Sequence, residues 1–554
     1  MGWRNPPMPW RELEAILDGR ATDAPSLRPR PEQRERRTRP EPERVVPYAE
    51  LHAHSHYSFL DGASSPAQLV TEATALGLEA LALVDHDGLY GAVRFAEAAD
   101  HVGLATVFGA ELSLELPEPQ TGVADPVGDH LLVLARSPEG YRRLAATLTD
   151  GYLAGGEKGR PILHLEQVAE RAGEWLVSTG CRKGAVRRAL ERDGEDAAGV
   201  ELDRLVSLFG RDGVMVEVTD LGLPDDGERN QALATLAERR GLPVVATTNA
   251  HVASPRQQLL GDAMAAVRAR RSIDELDGWL PAGGVPRLRS GAEMAWRFRQ
   301  LPGVVDRAAA IGRSLAFSLR AASPHLPDTD VPDGHTQMSW LRQLVAERRD
   351  RVYPPGDAAL DHAAIERRLA HELRLIEEKG FAGYFLIVSE IADFAHARGI
   401  LCQGRGSAVA SAVCFILGIT AVDPILYRLP FERFISMIRT EEPDIDIDFD
   451  AARREEVIQH VYERYGRRNA AQVANVITYR PKSAVRDAAK ALGYAVGQQN
   501  AWSKRVEGWS APSVDGTEGI PDPVLSLADD FLHAPRHLGI HSGGMVLTKE
   551  PVGH

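Results

Sequence analysis

From Tyr48 to about Ser314, short apolar runs alternate with stretches of helical period. The runs at 81–84, 105–108, 131–135, 175–178, 214–218 and 243–246 are rich in Val, Leu and Ala, the composition of parallel strands buried on both faces. Between them, segments such as 66–76 and 230–240 carry helix-like periodicity. Repeated βα units over this length predict an α/β domain closed into a barrel. A Pro-rich linker at 323–334 follows, then long helices at 363–379 and 384–398 and a Gly-rich turn at Gly404. A last helical region, about 479–530, ends in a Gly/His loop at 537–544. No internal repeat is visible.

The alternation becomes chemically distinctive at Pro443-Asp444-Ile445-Asp446-Ile447-Asp448-Phe449-Asp450. Read as a strand, this segment puts every acid on one face and Ile and Phe on the other. Carboxylates in a row repel one another unless cations neutralise them. Hard divalent ions on oxygen ligands do so, and two of them about 4 Å apart form the phosphoryl-transfer clamp. A solvated acidic edge strand is the alternative, but the apolar second face predicts half burial. An EF-hand loop is excluded, because the position that requires Gly is Phe449.

The length of 554 residues corresponds to about three or four domains. A net charge of −14 argues against a simple nucleic-acid coat protein and leaves room for a local basic groove beside acidic metal ligands. Cys181, Cys402 and Cys414 form no CxxC pair, so a reducing cytoplasm is expected. No signal peptide begins the chain, and the longest apolar run, 408–419, is too short to span a bilayer, so no membrane association is expected. Residues 1–47 are rich in Pro and Arg and are expected to be largely disordered, with one short amphipathic helix through Trp3, Trp10, Leu13, Ile16 and Leu17.

Candidate metal ligands recur along the barrel. His52 and His54 open it, Asp61 follows, His86 comes just after a strand, Glu111 after the next, His130 opens another, and Cys181 and His251 follow two more. Active sites of α/β barrels lie at C-terminal strand ends. Imidazoles, carboxylates and a thiolate converging there match Zn²⁺ or Mn²⁺ better than Mg²⁺. His56 and His101 fit no such place and are expected to be ordinary surface histidines.

Leu51-His52-Ala53-His54 with Ser58 and Asp61-Gly62, then Asp85-His86, Gly109-Ala110-Glu111, His130-Leu131 and His251, resemble the polymerase and histidinol phosphatase (PHP) domain. The resemblance implies a distorted, metal-holding barrel that hydrolyses phosphoesters, with His52, His54, Asp61, His86, Glu111, His130, Cys181 and His251 as ligands. Asn249, in Thr248-Asn249-Ala250-His251, stands where that family usually has Asp. Its amide offers a carbonyl oxygen but no charge. Partial metal binding and reduced or absent nuclease activity are therefore expected.

A second constellation follows the linker. Gly404-Arg405-Gly406-Ser407 precedes an apolar helical stretch at 408–417, so backbone N–H groups and a helix N-terminus can meet an anion. Alone this is more often a plain helix cap. Lying some forty residues before the acidic strand, it reads as a triphosphate-binding turn of a nucleotidyltransferase palm, with Arg405, Gly406 and Ser407 on phosphate. Phe381-Ala-Gly-Tyr-Phe-Leu-Ile-Val388, Gly404-Arg-Gly-Ser407, Phe431-Glu-Arg-Phe434, Pro443-Asp-Ile-Asp-Ile-Asp-Phe449 and Gly539-Ile-His-Ser-Gly-Gly544 together resemble the C-family bacterial replicative polymerase α subunit. Gly2-Trp3-Arg4-Asn5-Pro6-Pro7 with Pro9-Trp10 is similar to its error-prone, damage-inducible (ImuC-type) branch.

The resemblance implies a Pol β-like α+β palm with a helical thumb behind the PHP barrel. It assigns Mg²⁺ binding to Asp446 and Asp448, which periodicity alone does not separate from Asp444 or Asp450. It implies attack of a primer 3′-hydroxyl on the α-phosphate of a deoxynucleoside triphosphate during translesion synthesis, on primer-template DNA and beside a sliding clamp and accessory proteins. Lys482 and Arg486 fall in the thumb-like region and either hold duplex phosphates or form a solvated helix face.

The expected organisation is an extension at 1–47, a PHP domain at 48–315, a linker at 316–335, a first palm part at 336–478, a thumb at 479–539 and the start of a second palm segment at 540–554. The family's Lys-x-Asp-x-Leu-Gly-Leu segment, with a third catalytic aspartate, does not occur in the 554 residues, so an N-terminal part that binds DNA weakly and does not extend a primer is expected. Two other readings remain open on the residues. One is a free-standing PHP phosphoesterase, which predicts activity on small phosphoesters. The other is a non-catalytic module that binds polymerase partners through the Trp-containing N-terminus.

Overall fold

Seven strands form one sheet in sequential order: β1 (Ala49–Glu50), β2 (Ala80–Leu83), β3 (Ala105–Leu114), β4 (Asp129–Ala135), β5 (Trp175–Ser178), β6 (Val214–Thr219) and β7 (Val244–Thr247). They belong to a computed structural model that describes residues 45–118, 127–157, 159–276, 280, 286–322, 329–434, 445–506 and 519–553. Residues 1–44 of the N-terminal extension with its Trp motif, residues 323–328 of the Pro-rich linker, and Pro443 and Asp444 lie outside the described residues.

The six expected strands are present, and β2, β5, β6 and β7 are buried at every position. The sheet is not uniformly parallel, however. β3 and β4 pair antiparallel, as do β4 and β5, while the other neighbours run parallel. β3 continues six residues beyond its expected end at Phe108, and β4 returns along that extension with Leu114 opposite Asp129. An apolar run reports burial, not direction, so the reversal of β4 is a tertiary outcome. A parallel bridge between Ala53 and Ala250 brings the two ends of the sheet together, with His54 N donating to Ala250 O at 2.8 Å and Ala250 N to His52 O at 2.8 Å. The result is a nearly closed barrel with an apolar interior that runs from Leu51 through Leu83, Val133 and Val216 to Val245.

Helices cover the barrel. Pro66–Ala75 starts at a Ser65 cap whose hydroxyl accepts from Gln68 N, with Pro at the first position. Val304–Leu315 lies over β1 and β2, and its Gly312 permits the approach: an added Cβ would sit 2.5 Å from Ala49 Cβ. Gly312→Ala is expected to destabilise the barrel by about 1–3 kcal/mol through overpacking, outweighing alanine's better helix propensity. The midpoint of chemical denaturation checks this.

Beyond the linker, helices Gln337–Val352, His362–Lys379 and Ala382–Ala397 enclose a second core with Leu341, Ile376, Phe385 and Phe431. A short antiparallel pair, β8 (Cys402–Gly404) and β9 (Ile447–Phe449), sits beside it. Helices Pro481–Ala491, Val496–Arg505 and Asp522–Phe531 share a third core with helix Gln258–Ala269 of the barrel, through Ala263, Met264, Val485, Ala488 and Phe531. One apolar cluster thus joins these three helices to the barrel.

Two expectations are corrected here. The Gly/His loop at 537–544 is part of a strand, β11 (Pro535–Leu547), paired antiparallel with β10 (Ala470–Thr478) around an irregularity between Gln472 and Ala474. The helical stretch expected at 408–417 is broken. A 3₁₀ turn, Gly406–Ala410, precedes a short helix, Ala412–Ile416, that starts at the Ser411 cap. Among the described residues no helix is long and apolar enough to cross a membrane.

Candidate metal centre and acidic strand

His52 and His54 alternate with apolar Leu51 and Ala53, so their rings share one face, and the Ala250 bridge fixes their backbone. Asp85 holds the following loop by accepting from Ser55 N at 2.6 Å, Ser55 Oγ at 2.8 Å and Ser58 Oγ at 2.8 Å. His86 bridges to Glu111, which lies inside β3 rather than after it. Asn249 adopts a left-handed backbone, φ 46°, a conformation Asn tolerates better than most residues.

These placements gather the predicted residues around Glu111. Its Oε2 lies 3.0 Å from His130 Nδ1, 3.3 Å from His86 Nδ1 and 3.5 Å from His54 Nε2, and its Oε1 lies 3.4 Å from His52 Nε2. Among the described residues, three overlapping sets are close enough to hold an ion: His54, His86 and His251; His52, His54 and Glu111; His86, Glu111 and His130. Asp61 and Cys181 belong to none of them. Asp61 Oδ2 lies 3.0 Å from His86 Nε2, and Cys181 Sγ 3.7 Å from His130 Nδ1.

The electrostatics fit a cation. Burial raises the Glu111 carboxyl, but His130 and His52 outweigh it and hold it well below the usual carboxylate range. Glu111 Oε1 is buried and lacks a hydrogen-bond partner among the described residues, an orphaned acceptor that an ion would satisfy. Burial, reinforced by His86 and His251, keeps His54 well below the normal histidine range, as a neutral ligand should be. Burial and Glu111 push the Cys181 thiol well up, so it becomes a thiolate ligand only with an ion beside it. His251 Nδ1 donates to Asn249 O at 2.9 Å, which leaves Nε2 as its lone-pair nitrogen. His101 is exposed as expected, whereas His56 is half-buried and held down to about 3 by burial and Arg94.

The second constellation is also assembled. In β9 and its preceding residues Ile445 is buried and Ile447 and Phe449 half-buried, while Asp446, Asp448 and Asp450 are exposed, so the alternation holds. Pairing of Gly404 with Ile447 and Gln403 with Asp448 sets the Gly-rich turn against the acids. Arg405 N donates to Asp446 O at 2.8 Å, and the Arg405 guanidinium pairs with the Asp448 carboxylate. Gly406 has φ 61°, and a Cβ there would lie 3.7 Å from Asp446 Oδ2. Ser407 is half-buried in the same turn. The helix behind it offers no anion site, because buried Glu372 accepts from Ala412 N at 3.0 Å and Val413 N at 3.1 Å. Lys482 and Arg486 are both exposed on helix Pro481–Ala491, with Arg486 3.4 Å from Ser503 Oγ.

Comparison with known proteins agrees with this layout. The PHP domain family matches residues 50–221, and the bacterial DNA polymerase III alpha NTPase domain matches residues 339–554. The error-prone DNA polymerase of Cutibacterium acnes is 60% identical over 569 residues, covering 100% of this chain and 49% of that protein. Its counterpart in Mycolicibacterium paratuberculosis is 54% identical, covering 100% of this chain and 51% of its own length. The chain thus carries a PHP domain and a bacterial DNA polymerase III alpha NTPase domain, and it is similar along its whole length to error-prone DNA polymerases. It spans about half the length of the curated relatives it matches.

Two residues of the barrel site escape the sequence reading. Glu217 accepts from His52 Nδ1 at 2.7 Å and is itself held by Ser178 Oγ at 2.7 Å and by Thr247. A carboxylate on the far nitrogen of a histidine fixes the ring and its tautomer for metal binding. Its signal is a lone acid inside the apolar run 214–218. Arg268 pairs with Asp61 at 2.9 Å and is visible only in three dimensions. Glu217→Ala is expected to lower ion affinity by about 10–100-fold. Calorimetric titration of the chain with Zn²⁺ or Mn²⁺ measures it.

Proposed function

We propose that this chain supplies the triphosphate turn and two of the metal-holding carboxylates of a DNA polymerase that carries out error-prone, translesion synthesis. The observation that carries the reading is the register of β8 against β9, which sets Arg405 and Gly406 directly on Asp446 and Asp448. Asp446 and Asp448 would hold Mg²⁺, which would activate the primer 3′-hydroxyl and neutralise charge on the leaving pyrophosphate. Arg405, the Gly406 backbone and Ser407 bind triphosphate oxygens, and Arg405 exchanges its Asp448 partner for phosphate as the nucleotide arrives. Lys482 and Arg486 contact duplex phosphates of primer-template DNA. The sliding clamp and translesion accessory proteins are the partners this reading brings, and the cytoplasm its place of action.

The barrel is a second, metal-binding unit. His52, His54, His86, Glu111, His130 and His251 would hold Zn²⁺ or Mn²⁺, with Asp61, Cys181 and Asn249 around them. The neutral Asn249 favours a structural ion over rapid phosphoester hydrolysis.

The test is primer extension on damaged and undamaged templates by a protein of the relatives' full length that carries these residues. Template-directed incorporation that requires Asp446 and Asp448 is expected. No incorporation by the unaltered protein would overturn the proposal.

A further inference from the structure

We propose that Arg268 is a built-in cation on the Asp61 side of the barrel site, so that the chain holds fewer ions than its nine candidate ligands suggest. The inference rests on the reading of this cleft as a metal centre. Both carboxylate oxygens of Asp61 are already engaged, Oδ1 by Arg268 Nη1 at 2.9 Å and Oδ2 by His86 Nε2 at 3.0 Å. The Asp61 side chain thus turns neither oxygen to a vacant coordination position, and it falls outside every residue set close enough to share an ion.

The charge count points the same way. Of the two carboxylates that line this cleft, Asp61 and Glu111, the Arg268 guanidinium pairs with Asp61, and Asn249 adds no charge beside it. A divalent ion in the same place would meet a fixed positive neighbour in a partly buried cleft, where like charges repel. Asn249 Oδ1 is buried with no hydrogen-bond partner among the described residues and lines the cleft with Asp61 and Arg268. It marks where a second carboxylate would tip the balance towards an ion.

Arg268 is not a loose surface cation. Its side chain is 15% exposed, and its Nε is buried without a hydrogen-bond partner among the described residues. The helix that carries it, Gln258–Ala269, is held between the barrel and helices Pro481–Ala491 and Asp522–Phe531. The guanidinium is therefore positioned by the same core that joins the two halves of the chain.

Ion content per chain decides the matter. The full chain is saturated with Zn²⁺ or Mn²⁺, desalted and assayed by mass spectrometry, with circular dichroism as the check on folding. Asn249→Asp combined with Arg268→Gln is expected to hold about one ion more than the unaltered chain. Asn249→Asp alone, and Asn249→Asp with Arg268→Lys, are expected to gain none, because a cation remains. An extra ion in Asn249→Asp alone would overturn the inference even if the Arg268 variants failed to fold. So would a folded double variant that gains no ion while a Glu111-dependent ion persists in the unaltered chain. If Glu111→Gln leaves the ion content of the unaltered chain unchanged, the metal-centre reading falls, and the inference with it.

Discussion

Replacing Asp448 by Ala, in a protein of the relatives' full length, is expected to lower primer extension by about 10³-fold or more. That factor corresponds to about 4 kcal/mol of transition-state stabilisation, the scale expected when a carboxylate that holds a catalytic ion is removed. The loss should appear in kcat, because charge on the transferred phosphoryl group develops only in the transition state. Asp446→Ala is expected to behave alike, since the two carboxylates flank Ile447 on the same exposed face. Folding should be nearly unaffected. Asp448 is 49% exposed, and its pairing with Arg405 is a surface ion pair worth little. Single-nucleotide incorporation on a labelled primer, with thermal denaturation alongside, separates the two effects. Activity within tenfold of the unaltered protein would remove Asp448 from the catalytic site.

Glu372→Ala is expected to destabilise the second body by about 3–5 kcal/mol, the scale for removing one partner of a buried charged pair. Glu372 is fully buried and accepts from Ser411 Oγ at 2.8 Å, Ala412 N at 3.0 Å and Val413 N at 3.1 Å as well as from Arg368 Nε. Its loss leaves helix N–H donors and a guanidinium without their acceptor in an apolar surround. Arg368 also donates to Ala410 O at 2.7 Å and Leu429 O at 2.9 Å, so the change reaches the chain on both sides of the short helix Ala412–Ile416. Urea denaturation of the chain is the measurement, and a change below about 1 kcal/mol would show that water replaces the carboxylate at little cost. Because that helix follows the Gly-rich turn directly, Glu372 fixes from behind the loop that faces Asp446 and Asp448.

The parts of this architecture that were legible in the sequence are those set by local period and composition. The strands of the barrel announce themselves because a segment buried on both faces must be apolar throughout. The acidic strand announces itself because period two sorts its acids from Ile445, Ile447 and Phe449. The capped start of Pro66–Ala75 is likewise written in Ser65, Pro66 and Gln68. His52, His54, His86, Glu111, His130 and His251 were recognisable because motif spacing ties each to an expected strand end, although Glu111 lies inside the longer β3.

What lay outside the reach of the sequence depends on contacts between distant segments. β4 reverses direction although its run looks like its neighbours', because apolar content fixes depth and not polarity. The segment 537–544, rich in Gly and His, looks like a loop until β10 supplies the backbone partners that make it a strand. Glu372 lies 39 residues before the Ser411 it bonds, and Arg268 more than two hundred residues from Asp61. By itself the sequence determined which residue types could build a cation site and on which elements they ride. Only the tertiary structure decided which of those charges already answer one another, because ion pairing depends on distances that the folded backbone alone sets.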